Sequence, residues 1–574
     1  MMTVLLMLAA FVGYIVAYNT YGRFLARRIF RINPDACVPA VGQCDNRDFV
    51  PTRRIIVFGH HFTSIAGTGP IVGPAIGVIW GWVPAFIWVF VGSIVMGGVH
   101  DFGSLVISLR NQGRSIADIT GDLIGRRVRI IFFLVVMLIL WVVIAIFGLV
   151  MALIFNRFPA AVIPVWLEIP IAVALGWLVY RRGLGKQLLL FDIAAVLLMY
   201  VTILVGWRFP LLMPAVFGIP ATGVWTIILL VYAFVASVLP VTTLLQPRDY
   251  INAWELAVAL VLMTLGVLVA GFGGRLPLVA PAFRAAVPGA PPLWPVLFIT
   301  IACGAISGFH SLVSSGTSSK QVAREPDALF VGYGAMLVES VLALLVIIAC
   351  CAGIGMAYRL PDGSVLTGVV AWTHHYSSWG AASGMNANLD AFVTGAANLL
   401  SSYGIPIGAA IAVMGVLVVS FAGTTLDTAT RLQRYVVAEL AGAARLRPLG
   451  NKWVATSIAV VSAGALAFAS GADGAGALRL WPVFGALNQL LAGLALLVIS
   501  VWLRPRTKFY WLALGPALFM LVMTSWALVR GILQYAGAGN WLLFGVSAVC
   551  LLLEAWMIIE TFIVWLRPAR RIAA

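Results

Sequence analysis

Charged residues are scarce in this sequence. Only 10% of its 574 residues are Asp, Glu, Lys or Arg, whereas a soluble globular domain carries about 25%. Hydrophobic residues make up 62% of the chain, and its mean hydropathy is +1.04. So few polar groups cannot cover a water-exposed surface, which excludes a soluble globule and indicates an integral membrane protein.

Acidic residues are rarer than basic ones, and the formal net charge is +16. A basic balance is compatible with nucleic-acid binding, but the sequence has no basic helix, no zinc-ligand spacing and no basic strip interleaved with aromatic residues. The arginines lie instead between apolar runs. We therefore interpret the charge as a determinant of membrane topology and expect no nucleic-acid partner.

Cysteine is also rare, with six residues too scattered for a disulfide framework. Cys37 and Cys44 share a loop that we expect in the reducing cytoplasm, which disfavours a disulfide between them. The loop offers no further Cys or His for a metal site. Four cysteines in apolar runs are expected to act as small hydrophobes: Cys303, Cys350, Cys351 and Cys550.

Catalytic motifs are absent, since the chain has no phosphate-binding loop, no nucleophile elbow and no HExxH. We expect no enzyme, no cofactor and no resident metal. A transporter without a nucleotide-binding segment would draw its energy from an ion gradient.

Long apolar segments are what the sequence has in abundance. Helices of roughly 17 to 25 residues cross a bilayer and satisfy their own backbone hydrogen bonds there. Fifteen such spans are predicted, which defines an all-α membrane fold. They cover approximately 2–18, 55–79, 84–109, 130–156, 165–180, 188–206, 223–245, 252–272, 293–318, 328–357, 405–430, 453–470, 480–503, 509–529 and 541–566.

The basic residues orient these spans. With the N-terminus outside and the C-terminus in the cytoplasm, only seven of the 36 Lys and Arg residues lie outside, as the positive-inside rule requires. The longest external loop, 358–404, then contains His374, His375 and an apolar stretch, 391–400, that is expected to form a short helix. The seven external residues are Arg157, Arg208, Arg275, Arg284, Arg359, Arg479 and Arg530.

The second and ninth spans share a G-x-H-x5-G-T frame and are unusually rich in Gly, Ser, Thr and Pro. The second span runs from inside to outside and the ninth in the reverse direction, which is typical of inverted repeats in transporters. The matched positions are Gly59, His61, Gly67 and Thr68 in one span and Gly308, His310, Gly316 and Thr317 in the other.

These segments are predicted to be broken helices. Glycines with Pro70 or Pro74 interrupt the helical ladder, so that backbone groups at membrane depth need partners, which a substrate or an ion can supply. Half-helix N-termini attract carboxylates, and C-terminal carbonyls attract cations. The alternative is that the small residues only permit close helix packing.

Three histidines in these segments, His60, His61 and His310, titrate near neutral pH and suit a proton-coupled cycle. A metal site is disfavoured because no further ligands are fixed by spacing. Hydrogen bonding to the interrupted backbone is the structural alternative.

Other ionisable residues at membrane depth are functional hypotheses by default. Asp101, beside His100, could relay protons or hold a helix-packing network. Glu339, deeper in its span, is the stronger prediction for a coupling acid. Asp192 and Glu255 are expected near cytoplasmic helix ends, and Glu168 near an outer end.

A further span contains Thr424 and Thr425, whose hydroxyl oxygens could ligate Na⁺. Asp427 and Arg431 follow on the same helix face, and their spacing of four predicts an ion pair.

Several of these motifs together resemble the carbon starvation protein A (CstA) family over most of residues 50–500. They are VFGHHFTSIAGTGPIVGPAIG, FITIACGAISGFHSLVSSGTSSKQVARE with VGYGAMLVES, LDTATRLQRY and LWPVFGALNQLLAG. The resemblance implies a bacterial inner-membrane transporter of peptides under carbon starvation, or a proton-coupled pyruvate symporter.

The resemblance also implies a LeuT-like core, since this family is grouped with the amino acid/polyamine/organocation superfamily. That fold predicts an offset of five spans between the broken helices, whereas the sequence has seven. Accessory helices between the repeats, or a seven-plus-seven repeat, would account for the difference.

The predicted domains follow the first alternative. A leading helix and basic loop (1–54) precede a first repeat with one accessory helix (55–245). An accessory helix with an external loop (246–292) follows. The second repeat (293–503) and C-terminal accessory helices (504–574) complete the chain.

The sequence therefore predicts an ion-coupled transporter of a small carboxylate substrate in the bilayer, with H⁺ as the coupling ion and Na⁺ as the alternative. A nutrient sensor or channel is the rival class, disfavoured because no signalling domain or continuous polar stripe is visible. The predicted substrate-binding residues are Gly59, His60, His61, Ser64, Gly67, Thr68, Gly69, Ser307, Gly308, His310, Ser314, Ser315, Gly316 and Thr317. The predicted ion-coupling residues are His100, Asp101, Glu339, Thr424, Thr425 and Asp427.

Overall fold

The computed structural model describes residues 1–181 and 188–566. Helices dominate this part of the chain, and one hairpin pairs β1 (Tyr358–Arg359) with β2 (Val365–Leu366). The cytoplasmic placement predicted for Arg567, Arg570 and Arg571 concerns positions outside the described residues.

Twelve helices precede residue 293. They are α1 (Met2–Ala17), α2 (Pro39–Gly42), α3 (Arg54–Ala66), α4 (Gly69–Gly77), α5 (Trp82–Gly92), α6 (Gly98–Arg110), α7 (Ile116–Leu123), α8 (Arg126–Arg157), α9 (Val162–Gly176), α10 (Leu188–Arg208), α11 (Ala221–Val238) and α12 (Leu245–Phe272).

Eleven more lie in the second half of the described chain. They are α13 (Leu293–Thr300), α14 (Gly308–Gly316), α15 (Ala335–Cys351), α16 (Gly368–His375), α17 (Trp379–Ala382), α18 (Met385–Ser401), α19 (Ile407–Ala443), α20 (Lys452–Ala467), α21 (Trp481–Leu503), α22 (Trp511–Gly537) and α23 (Trp541–Leu566).

Twelve helices in the described residues are long and apolar enough to cross a membrane, and the bent pair α3–α4 is a thirteenth candidate. The two remaining predicted spans are present as shorter helices, α13 with α14 and α20. Each of the fifteen predicted segments therefore contains helix. The short helix predicted over 391–400 is part of α18.

Both predicted breaks are present. The axes of α3 and α4 differ by 43°, and the chain turns at Gly67, whose φ of 35° is accessible to glycine but strained for other residues. In the other segment, residues 301–307 separate α13 from α14. The backbone is thus non-helical at two points inside the protein, as expected only where partners satisfy it.

The same pattern of helix–helix contacts is found in two sets of helices, one from each half of the chain. The helix α3 packs along α12 as α14 packs along α21, and α8 packs on α11 as α19 packs on α20. Similarly, α4 contacts α15 and α14 contacts α6, while α8 and α19 pack against each other. The first set is α3–α4, α5–α6, α8, α11 and α12, and its counterparts are α13–α14, α15, α19, α20 and α21.

The helices α9 and α10 have no counterpart in this correspondence. They follow α8 and precede α11 in the chain, pack on each other, and both contact α12 and α19. Five helices of the first set are therefore spread over seven spans, which accounts for the offset of seven. The helix expected to be accessory, α12, lies instead along the broken helix α3.

Two faces of the molecule are distinguished below. The loop face carries residues 358–404. The basic face carries residues 31–53 and the N-terminal ends of α3, α8 and α12. Exposed Leu, Val, Ile and Phe side chains on α1, α10 and α23 suit contact with lipid.

Candidate functional site

The two shared motifs lie on neighbouring half-helices. The helix α3 starts at the basic face and ends at its break, whereas α14 starts at its break and ends toward the basic face. Both motif-bearing halves therefore occupy the same side of the membrane interior and contact each other. Their histidines, His60, His61 and His310, are fully buried.

His310 belongs to a chain of four ionisable side chains on α6, α14 and α15. Its Nδ1 lies 3.0 Å from Asp101 Oδ2, and Asp101 Oδ1 lies 2.7 Å from His100 Nδ1. On the other side of the ring, His310 Nε2 is 3.4 Å from Glu339 Oε2. All four are fully buried, so three predicted coupling residues meet one predicted substrate residue in one acid–base chain.

Glu339 ends this chain without a normal hydrogen bond. No described residue donates a hydrogen bond to either of its carboxylate oxygens. A buried carboxylate in this state is costly unless it carries a proton or gains a partner. The chain can therefore hold or move a proton between His310 and Glu339.

His60 and His61 point to different neighbours. His61 Nδ1 lies 2.8 Å from the Ser318 hydroxyl, just after α14, and His60 Nδ1 contacts the carboxylate of Asp249 on α12. In the described chain neither Nε2 atom has a hydrogen-bond partner. The adjacent histidines thus link α3 to two different helices.

The hydroxyls predicted for Na⁺ binding contact the end of α3. Thr424 Oγ1 donates to the carbonyl of Thr63 at 2.9 Å, and Thr425 Oγ1 donates to that of Ser64 at 3.4 Å. The Ser64 hydroxyl lies 3.0 Å from Thr428 Oγ1. These contacts satisfy carbonyls that the break frees from the helical ladder. The Na⁺ role stays a prediction.

The N-terminus of α14 is held by Asn488 of α21. Its Oδ1 accepts from the Phe309 backbone N–H at 3.0 Å, and its Nδ2 donates to Ser307 Oγ at 3.0 Å. A Cβ on Gly308 would lie 2.3 Å from the Asn488 carbonyl oxygen, so this contact requires glycine. Sequence reasoning missed Asn488, although its polar side chain in an apolar helix was a usable signal.

The remaining predicted hydroxyls of α14 do not face its break. Ser315 and Thr317 bond carbonyls of their own helix, at 2.7 and 3.0 Å, which makes them poor substrate ligands in this conformation. Ser314 is buried, and its hydroxyl has no partner among the described residues. Thr68 is buried at the start of α4.

A cavity of about 710 Å³ joins the loop face to both breaks. Gly69 and Cys303 line it at the two breaks, and Asn488 lines it beside α14. Its outer wall includes Trp379 and Arg530. Of the predicted substrate residues, Gly69 lines the cavity directly, and Ser307 lies one hydrogen bond away behind Asn488.

The segment before α3 is clamped at the basic face. The Asp48 carboxylate accepts from Arg431 at 2.8 Å, Tyr435 at 2.6 Å and Arg434 at 3.3 Å, all on α19. Backbone N–H groups of Val50 and Thr52 donate to carbonyls of residues 320 and 321, each at 3.0 Å. This Asp48 clamp ties α3, α14 and α19 together where the loop-face cavity does not reach.

Asp48 lies outside the membrane-spanning helices, and its pKa is lowered. Burial opposes ionisation of the carboxyl, but the charges of Arg431, Arg434 and Lys320 and the hydrogen bond from Tyr435 together outweigh that effect. The carboxylate form is therefore the one that holds the clamp.

The prediction that Asp427 and Arg431 pair with each other was wrong. Asp427 contacts Arg248 of α12 and accepts from the Tyr232 hydroxyl at 2.7 Å, whereas Arg431 binds Asp48. Both residues lie on one helix, but each side chain reaches a closer counter-charge on a neighbouring helix.

Arg248 was missed because its helix begins earlier than predicted. The helix α12 starts at Leu245 rather than near residue 252, and Arg248 and Asp249 are each 1% exposed instead of lying in a loop. Arg248 Nε donates to Glu168 Oε1 at 3.2 Å. Glu168 and Glu255, which were expected near helix ends, are buried in the protein, at 0% and 5% exposed.

Among the described residues, no group of three or more His, Cys, Asp or Glu side chains could hold a metal ion.

Comparison with known proteins identifies relatives over nearly the whole chain. The family model described as carbon starvation protein CstA matches residues 2–527. Proteins named peptide transporter CstA from Campylobacter jejuni and Escherichia coli K12 are each 32% identical. The alignments cover 95% and 89% of this chain, and 82% and 78% of those proteins.

A third relative bears a different name. The pyruvate/proton symporter BtsT of Escherichia coli K12 is 31% identical over 90% of this chain and 80% of its own length. Among solved structures, a manganese transporter of Eremococcus coleocola superposes on 91% of this chain and 99% of its own, with a TM-score of 0.47 at 12% identity. That likeness is too weak to carry an argument.

Proposed function

The chain belongs to the carbon starvation protein CstA family, and we propose that it is a secondary transporter that couples uptake of small nutrients to an ion gradient. We propose peptides as the first substrate class and pyruvate as the alternative. Both are retained because the relatives named peptide transporter and the relative named pyruvate/proton symporter are about equally similar to this chain. Both substrates present a carboxylate.

One observation carries this proposal: the loop-face cavity ends where the buried acid–base chain begins. Asn488 lines the cavity and bonds Ser307 and the Phe309 N–H. His310, with Asp101 and Glu339 beside it, is one residue further along α14. A substrate at the cavity floor would therefore lie within one helical turn of groups that can exchange a proton.

The proposed roles follow from this arrangement. The substrate carboxylate binds near Gly69 and Ser307, where the two breaks interrupt the helical hydrogen-bond ladder. The proton resides on the chain formed by His310, Asp101 and Glu339. Thr424 and Thr425 are the residues that a Na⁺-dependent alternative would use.

The recurring contacts support alternating access by two inverted halves. We place the first half at α3–α12 with α9 and α10 inserted, and the second at α13–α21, which revises the predicted division near residue 246. The cavity opens at the loop face while the Asp48 clamp closes the basic face. Taking the loop face as external, in a bacterial inner membrane, this is the outward-facing conformation.

The proposal is tested with purified protein in liposomes. Uptake of labelled pyruvate and of labelled dialanine is measured while a proton gradient and a sodium gradient are imposed separately. Accumulation above the external concentration under one gradient supports coupled transport and identifies the ion. Accumulation of neither substrate under either gradient would sink the proposal, and downhill flux alone would favour a channel.

A matched pair of variants tests the acid–base chain. Asp101→Asn is expected to abolish accumulation, because its amide cannot balance a charged His310. Asp122→Asn, an exposed acid at the basic face, should transport like the wild type. Full accumulation by Asp101→Asn would remove the chain from the coupling mechanism.

A further inference from the structure

A second set of ionisable side chains lies within the membrane interior, around α12. Arg248, Asn252 and Glu255 are spaced four and three residues apart and so share one face of that helix. Arg248 contacts Glu168 of α9 and Asp427 of α19. This α12 cluster, comprising these five residues, is separate from the chain that contains His310.

Glu255 has no partner in this cluster. It is 5% exposed, and no described residue donates a hydrogen bond to either of its carboxylate oxygens. The same holds for Glu168 Oε2 and for both amide atoms of Asn252. The ionisable groups that act on Glu255 are Glu168, Arg248 and the phenol of Tyr200 on α10.

The charges of the α12 cluster do not balance when its acids are all ionised. One guanidinium, that of Arg248, faces the carboxyl groups of Asp427, Glu168 and Glu255, while Asp249 is paired with His60. Asp427 has a contact from Arg248 and a hydrogen bond from Tyr232. Two negative charges would remain uncompensated at membrane depth, a costly state, and each bound proton removes one of them.

We propose that Glu255 and Glu168 form a second proton-binding site, distinct from the His310 chain. The proton is held as a neutral carboxylic acid on one of the two and is released to water, leaving a carboxylate. The new charge then competes with Asp427 for Arg248. Because Arg248 joins α9, α12 and α19, proton loss loosens the contact between α12 and α19.

This site rests on the proposed function only for its role in transport, since proton binding can be measured without a substrate. The proposed site also assigns a role to the inserted helix α9. That helix has no counterpart in the second half, and it brings Glu168 against α12. The site therefore uses a carboxylate that only the inserted helices supply.

The first experiment records infrared difference spectra of the full-length protein in detergent between acid and alkaline pH. In the wild type, the C=O band of protonated carboxyl groups should decrease as the pH rises. Part of this change should be missing in Glu255→Gln. Glu255→Asp, which retains a titrating carboxyl group, should show the full decrease of the C=O band. Equal amplitudes in the wild type and Glu255→Gln would overturn the proposal.

The second experiment measures gradient-driven accumulation of pyruvate and dialanine in liposomes. With Glu255→Gln, the substrate concentration inside the liposomes should only equal the external concentration. With Glu255→Asp, part of the wild-type ratio of internal to external concentration should return. The control is Glu554→Gln, a buried acid of α23 bonded to Ser525 at 3.0 Å, which should accumulate normally. Full accumulation by Glu255→Gln would exclude a coupling role.

The two experiments separate the proposals. If the wild type accumulates neither substrate but Glu255 titrates, the transport proposal fails and the proton site stands. If the wild type accumulates substrate and Glu255→Gln leaves the infrared change intact, the proton site fails and the transport proposal stands. Gel filtration and thermal unfolding of Glu255→Gln and Glu168→Gln confirm that the variants are folded.

Discussion

At the scale of single residues, two charged side chains of the membrane interior, Arg248 and Asp101, each have specific partners on neighbouring helices. Arg248 is 1% exposed and contacts acids on two other helices. Asp101 contacts two histidines. An ion in hydrocarbon loses its hydration, so its position is decided by the counter-charge or hydrogen-bond donor that it reaches. Substitution of one such residue therefore also affects its partners.

Arg248→Met should destabilise the protein by about 3–5 kcal/mol, because it leaves Glu168 and Asp427 buried without their cation. Thermal unfolding in detergent measures the effect. The loss should shrink in acid, where both carboxyl groups gain protons and no longer need a counter-charge.

The control for this prediction is Arg530→Met, since Arg530 is exposed at the cavity wall and its replacement should leave the unfolding temperature unchanged. Equal stability of Arg248→Met and the wild type would show that the buried acids are already neutral.

At the scale of elements, the broken helices differ in how their two ends are held. The outer pieces α4 and α13 line the cavity, whereas the inner pieces α3 and α14 are joined by hydrogen bonds and by the Asp48 clamp. Movement of the inner pieces toward an inward-facing state requires the clamp to break. We therefore expect the strength of the clamp to affect the balance between the two conformations.

Asp48→Asn should loosen the basic face. A cysteine introduced at Ala117, which is 1% exposed beneath the clamp region, should react faster with a maleimide once the attraction of Arg431 and Arg434 is lost. The control is Asp35→Asn, an exposed acid of the same basic segment. Unchanged reactivity in Asp48→Asn would contradict a gating role.

The pH dependence of the clamp has a defined sign. The pKa of Asp48 is lowered in the folded protein, because the effect of burial is outweighed by Arg431, Arg434 and Lys320 together with the Tyr435 hydrogen bond. A lowered pKa means that the stabilisation is complete above the ordinary aspartate value and is lost only as the pH falls through the lowered one. Ala117→Cys reactivity should therefore stay constant from neutral to mildly acid pH and rise only in strong acid.

At the scale of the whole molecule, the large cavity gives access to the interior from the loop face. The cavity reaches Cys303 from the loop face. Cys37 and Cys44 are exposed on the basic face, whereas Cys350, Cys351 and Cys550 are buried. Three native cysteines, Cys37, Cys44 and Cys303, thus report on the two faces without further substitutions.

A membrane-impermeant maleimide should label Cys303 when it is applied to the loop face, and pyruvate or dialanine should slow the reaction. Applied to the other face, it should label Cys37 and Cys44. Mass spectrometry of peptides from vesicles of each orientation gives the result. Labelling of Cys303 from the basic face would contradict the outward-facing assignment.

Much of the architecture was predictable because a bilayer restricts what a chain can do. Long apolar runs must become helices, and Gly67 in a polar, glycine-rich segment marks a break that the structure confirms. The shared motif likewise identified His61 and His310 as an inverted pair, both of which are buried on neighbouring half-helices.

The partners of the charged residues were not predictable in the same way. Hydropathy placed Arg248 in a loop, because a helix that starts with polar residues is invisible to a search for apolar runs. Helical spacing suggested that Asp427 binds Arg431, but each binds a residue from a distant part of the chain. Local spacing reports only contacts within one helix.

The sequence by itself determined the membrane class, the helical segments, the two breaks and the family, since all of these depend on local composition and short motifs. Only the tertiary structure decided which helices pair across the halves, where α9 and α10 insert, and which acids meet His310 or Arg248. Those features depend on contacts between residues far apart in the chain, and burial makes every such contact specific because an ion without water must find its partner within the protein.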